Sequence, residues 1–124
     1  MISRKNRFHG HAGLRYVHQN GKTVRGPYFM VKSAPNPRRS DYRVAVVISR
    51  KVHKSAVARN RIRRRLYAAV RLLQADINGP YDIVFNVYEP KISDQSPKRL
   101  TLLVKKQLTA AGALKQSTAQ LKDG

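Results

Sequence analysis

The side chains with the clearest chemical potential lie in one block, where positions 55–73 read S-A-V-A-R-N-R-I-R-R-R-L-Y-A-A-V-R-L-L. At 3.6 residues per turn, Ala58, Ile62, Leu66, Ala69 and Leu73 form an apolar stripe. Asn60, Arg63, Arg64, Tyr67 and Arg71 then fall on the opposite side, with Arg59, Arg61 and Arg65 on the flanks. A guanidinium group offers a planar fork of donors that grips two phosphate oxygens at once. The pattern predicts a docked helix whose outer face binds an acidic polymer. Arg50, Lys51 and Lys54, in the turn just before it, extend the same patch. A merely solvated helix mixes signs for i, i+4 pairing. Here no acid occurs between Asp41 and Asp76.

Catalytic chemistry is poorly represented. A metal-dependent nuclease needs clustered carboxylates, and the acids, Asp41, Asp76, Asp82, Glu89, Asp94 and Asp123, are scattered along the chain. No protein active site and no catalytic residue is expected. His9 and His11 alternate in a glycine-containing segment with no cysteine or acid beside them, too few ligands for a metal site. Tyr28 and Phe29 are adjacent on a predicted strand and so point to opposite faces. One of them can stack on unpaired bases while the other joins the core.

Length and composition bound the remaining possibilities. The 124 residues are 41% hydrophobic, enough for one domain with a core of its own. Lys and Arg total 26 against 6 acids, a formal net charge of +20. That excess strains a compact monomer by self-repulsion and points to a polyanion, nucleic acid first. An anionic membrane is the weaker alternative, because no transmembrane run or lipidation signal is present. Residues 2–7 are basic with no apolar stretch after them, unlike a secretory signal. The absence of cysteine suits a cytoplasmic protein.

The elements that must position the basic helix follow in order. Residues 1–7 read as a loose basic arm and 14–20 as a short helix stopped by Gly21. Strands are predicted at 23–25 and 28–33, followed by a loop rich in breakers at 35–40. Residues 43–49, R-V-A-V-V-I-S, are β-branched and almost continuously apolar, which predicts a central strand covered on both faces. Asn78-Gly79-Pro80 ends the basic helix. A strand at 81–88 turns Ile83, Phe85 and Val87 to one face, and 89–95 reads as loop. Ser96-Pro97 opens a last helix with a stripe of Leu100, Leu103, Val104 and Leu108, closed by Gly112. The polar tail at 113–124 is expected to fray. Positions 1–124 thus form one α+β domain, a sandwich of helices against a small sheet.

Residues 44–66 carry a family resemblance. V-A-V-V-I-S-R-K-V followed by K-S-A-V-A-R-N-R-I-R-R-R-L resembles the signature of the bacterial ribonuclease P protein component. The likeness extends more weakly over 14–108, through L-R-Y-V-x-x-x-G, the D-I-V strand and the last amphipathic helix. The resemblance implies an α-β-β-β-α-β-α fold with a mixed four-stranded sheet and a left-handed βαβ crossover through the basic helix. It implies a protein subunit whose RNA partner, using magnesium, removes the 5′ leader of precursor tRNA in the cytoplasm. On that basis Arg50, Lys51, Lys54, Arg59, Asn60, Arg61, Arg63, Arg64 and Arg65 are expected to hold the catalytic RNA. Tyr16, His18, Phe29 and Lys32 are expected on the leader side, in a cleft between the first helix and the sheet. The resemblance implies magnesium held mainly by the RNA, none held by the protein alone, and neither a membrane nor a small-molecule substrate. Two departures stand out: Leu14, His18 and Lys32 occupy positions where the family often has aromatic rings, and the 52–59 turn is one residue longer. The rival expectation is a structural rRNA-binding protein of the ribosome.

Overall fold

The computed structural model describes residues 4–8 and 11–115. Helix α1 (His11–Asn20) is followed by strands β1 (Lys22–Arg25), β2 (Phe29–Pro35) and β3 (Arg43–Ile48). Helix α2 (Ala56–Leu73), strand β4 (Tyr81–Val87) and helix α3 (Pro97–Ala110) complete the order. The termini follow local chemistry. Ser55 Oγ accepts the Ala58 N–H at 3.2 Å to start α2, and Ser96 Oγ accepts the Arg99 N–H at 3.2 Å with Pro97 at the first helical position. Gly112, at φ +82°, closes α3 in the left-handed conformation that suits glycine.

The sheet order is β1-β2-β4-β3, with β3 parallel to β4 and the other pairs antiparallel. Helix α2 is therefore the crossover between two parallel neighbours. Register sorts the side chains. Phe29, Val31 and Ser33 pair with Val87, Phe85 and Ile83, and share a face with Val44, Val46 and Ile48. That face packs against α2 and α3 in the main core, with Ile62, Leu66, Val70, Leu100, Val104 and Leu108. The other face carries Ala45 and Val84 and is covered in part by α1 and Phe8, which make a second, smaller core with Val17.

Four expectations change. Strand β3 is an edge, not central; it is buried because helices cover one face and the N-terminal segment closes on it. Described residues 4–7 are not a loose arm: the Asn6 amide donates to the Tyr42 carbonyl at 2.7 Å, and Arg7 pairs with Val44. The tail does not fray from 113 onward, since Ala113 and Leu114 are buried and Leu114 pairs with Ile77; residues 116–124 lie outside the described part. Lastly, the 89–95 loop contains a 3₁₀ turn, Pro90–Asp94.

Gln107 of α3 is a buried polar residue that periodicity does not flag. Its Nε2 donates to the carbonyls of Val24 and Phe29 at 3.3 and 3.0 Å, tying α3 to the β1–β2 hairpin. The amide lies so close to Gly26 that a Cβ there would stand 2.1 Å from Oε1. Gly26→Ala should therefore displace the amide and break its hydrogen bonds to both carbonyls, at a cost of about 1–3 kcal/mol in urea unfolding. Gln107→Ala introduced first should remove most of that cost, a coupling that a double-mutant cycle measures.

Candidate nucleic-acid interface

Helix α2 meets the core with Ile62, Leu66, Tyr67, Ala69, Val70 and Leu73. This buried arc is rotated by about 40° from the stripe expected at ideal helical spacing. The N-terminal segment packs on the Tyr67 side, with the Arg7 guanidinium 5.8 Å from the Tyr67 ring centre. Tyr67 is thus a core residue, not part of the outer face. Burial pushes its phenol pKa above the ordinary value, against the pull of Arg63 and Arg7, so it stays neutral at neutral pH.

The arginines of α2 separate by what they touch. Arg59 donates to the carbonyls of His53 and Lys54 at 2.7 and 3.0 Å, closing the turn before the helix. Arg65 donates to the carbonyls of Ile92, Ser93 and Gln95, clamping the 3₁₀ turn ahead of α3. Both therefore position the helix. Arg63 donates to Asn60 Oδ1 at 2.7 Å. Asn60, Arg61 and Arg64 face solvent, as do Arg50, Lys51 and Lys54 at the helix start. The first turn of α2 holds no acid, so the positive end of the helix dipole adds to these cations.

On the opposite face of the sheet, α1 leaves a groove of ≈ 400 Å³ lined by Leu14, Arg15, Val17, His18, Lys32, Val47, Val84 and Asn86. Leu14 and Val47 also line a second hollow, ≈ 520 Å³, walled by Arg4, Arg7, Phe8, Arg63 and Tyr67. The two hollows meet at Leu14 and Val47, and no carboxylate lines either. Lys32 donates to His18 Nδ1 at 2.6 Å across the groove. Its floor is apolar and its rims are cationic, which suits an extended strand with bases inward and phosphates at the edges.

Of the residues expected at this cleft, His18 and Lys32 line it. Phe29 does not: it is 0% exposed, on the face that packs under α2 and α3, with its ring 5.5 Å from Phe85. It cannot reach a base, because alternation puts it on the other side of β2 from Lys32. Tyr16 also lies elsewhere, on the flank of α1 facing the β2–β3 loop. Sequence reasoning missed Arg15, Arg4 and Arg7; only the docking of the N-terminal segment brings the last two to the path.

Among the described residues no three His, Cys, Asp or Glu side chains could share an ion, and a cation-lined path would repel one. His9 lies outside the described part. No helix among the described residues is long and apolar enough to cross a membrane.

The family model for ribonuclease P matches residues 2–112. The chain belongs to the ribonuclease P protein family. A ribonuclease P protein component from Roseiflexus castenholzii is 34% identical over 107 residues, 86% of each chain. One from Chloroflexus aurantiacus is 42% identical over 81 residues, or 65% of this chain, and the match spans 58% of that relative's length. The RNase P protein of Staphylococcus aureus superposes with a TM-score of 0.77 over 89% of this chain and 98% of its own, at 20% identity. That of Thermotoga maritima gives 0.65 over 76% and 88%, at 21%. At these identities the two structures speak for the shared α+β fold. The ribosomal alternative gains nothing from these comparisons.

The split among arginines has a direct consequence. Arg65→Ala should cost about 1–2 kcal/mol in urea unfolding, because it removes the hydrogen bonds that tie α2 to the Pro90–Asp94 turn and to Gln95. Arg61→Ala and Arg64→Ala, both on the exposed face, should each stay within about 0.5 kcal/mol. Phe29→Ala should cost about 3–5 kcal/mol, as a buried ring does and a base-stacking platform does not.

Proposed function

We propose that this chain is the protein subunit of a ribonuclease P ribonucleoprotein that assists removal of the 5′ leader from precursor tRNA. The outer face of α2, through Asn60, Arg61, Arg63 and Arg64 with Arg50, Lys51 and Lys54, docks on the catalytic RNA. Arg59 and Arg65 hold that helix in place. The groove under α1 takes the single-stranded leader, with Lys32, His18 and Arg15 at its rim. What supports this reading is the basic lining of both hollows: Arg15 and Lys32 at one, Arg4, Arg7 and Arg63 at the other, with Leu14 and Val47 common to both and no carboxylate in either.

The protein's contribution is electrostatic and positional. Leader and catalytic RNA repel one another, and protein cations between them replace part of the diffuse counterion cloud. In this reading hydrolysis itself, and the magnesium it needs, fall to the RNA; the six acids of the chain are scattered along the sequence. Neither a membrane nor a small-molecule substrate enters this reading, and the site of action is the cytoplasm.

Reconstitution with the cognate catalytic RNA tests the proposal. Adding the protein should permit leader cleavage at a magnesium concentration where the RNA alone is slow, while RNA-free protein should cleave nothing. Cleavage by RNA-free protein, surviving a contamination control, would refute it. Replacing Arg61 and Arg64 together with Ala should weaken RNA binding and flatten its salt dependence by up to roughly one log–log unit per lost duplex contact. Lys32→Ala should narrow the affinity difference between precursors with long and very short leaders. An unchanged difference would remove the groove from leader binding.

A further inference from the structure

Helix α1 divides its face of the sheet. The groove lies on one flank; on the other, Tyr16, Asn36 and Arg38 border a hollow of ≈ 490 Å³ at the start of β3 and β4. Arg38 also borders the adjoining hollow of ≈ 390 Å³, together with Arg39. The proposed leader path uses neither.

Three observations bear on what this flank can hold. Tyr16 is 36% exposed, and its hydroxyl donates to the Pro35 carbonyl at 2.9 Å, so the ring is anchored while part of it stays open. The nearby carboxylates are already occupied. Asp82 accepts from Arg43 and Asn36, and Asp41 accepts the Tyr42 N–H at 2.8 Å and faces Lys5 at 3.8 Å. Arg38 and Arg39 are exposed, and among the described residues no ion pair reaches either of them. Asn36 shapes the loop that carries them: its Oδ1 accepts the Arg38 N–H at 3.3 Å and its carbonyl accepts the Arg39 N–H at 3.0 Å. An anchored ring that shares its hollow with the Arg38 guanidinium, with Arg39 bordering the next, matches a base next to a phosphate.

We infer that this flank is a second nucleotide site, which takes one nucleotide of single-stranded RNA with its base on Tyr16 and its phosphate on Arg38 and Arg39. The inference rests on the reading of the chain as an RNA-binding subunit. An unpaired nucleotide fits better than a duplex, whose bases are already stacked on one another. The site is sequence-tolerant, because the Asn36 amide that could read a base edge is held by Asp82.

The test measures binding of an unstructured RNA of about 16 nucleotides, the upper range for small single-strand binders, to the full chain at several salt concentrations. Tyr16→Leu should weaken binding roughly 5- to 150-fold, the loss of one base stack. Tyr16→Phe, which keeps the ring, should stay within about twofold on the same argument. Arg38→Gln with Arg39→Gln should lower the salt slope by up to about 0.7, the contribution of one single-strand phosphate. Circular dichroism checks each fold; if Tyr16→Leu is unfolded, Tyr16→Phe and the arginine pair decide. Wild-type affinity and slope in the arginine pair, or in a folded Tyr16→Leu, would overturn the site. So would an equal loss of binding to duplex RNA. Lys32→Ala and Arg15→Ala, measured in parallel, separate the two ideas: loss there with none at the flank keeps the groove and rejects the second site, and the reverse does the opposite.

Discussion

Asp82 is the point on which the α1 face of the molecule depends. It opens β4, is 0% exposed, and accepts from Arg43 Nε at 2.9 Å, Arg43 Nη2 at 2.8 Å and Asn36 Nδ2 at 2.8 Å. Arg43 is its direct partner in the parallel register, and the hydrogen bond to Asp82 raises the guanidinium pKa further. Removing one member of such a buried pair typically costs about 3–5 kcal/mol, because the other is left uncompensated. Arg43 also lies 4.5 Å over the Phe8 ring. One carboxylate thereby joins the parallel strand pair, the β2–β3 loop and the N-terminal segment. The core on that side is small, with Phe8, Val17, Ala45 and Val84 as its buried members, so it has little apolar area with which to hold the segment otherwise.

The rest of the charge problem is solved without acids. With 26 basic residues and 6 acidic ones, most guanidinium groups have no carboxylate to meet. Several use backbone carbonyls or ring faces. Arg59 and Arg65 bond to carbonyls, Arg7 lies against Tyr67, and Arg25 stands 4.9 Å from the Tyr88 ring centre. Carbonyl dipoles and ring quadrupoles satisfy a guanidinium while leaving its net charge in place. The folded surface therefore stays positive, and the repulsion it carries is what a bound polyanion relieves. Structural and solvent-facing arginines are chemically identical; they differ only in whether a carbonyl or ring lies within reach.

Element identity was largely legible from local pattern. The cap at Ser96, breakers at Gly79 and Gly112, and the periods of 2 and 3.6 define the strands and helices because each is a property of neighbouring residues. The absence of an acidic cluster, and the basic face of α2, were equally plain. What required the tertiary structure was every decision between two faces. Phe29 and Lys32 are three apart on one strand, and only the pairing of β2 with β4 beneath α2 and α3 sends the ring into the core and the amine into the groove. Tyr16 and His18 are two apart on one helix, and only the angle at which α1 docks sends them to opposite flanks. Arg61 and Arg65 look alike in sequence, yet the carbonyls of the Pro90–Asp94 turn and of Gln95 arrive beside one of them alone. Periodicity fixes which residues share a side; contacts between segments far apart in the chain determine what that side meets.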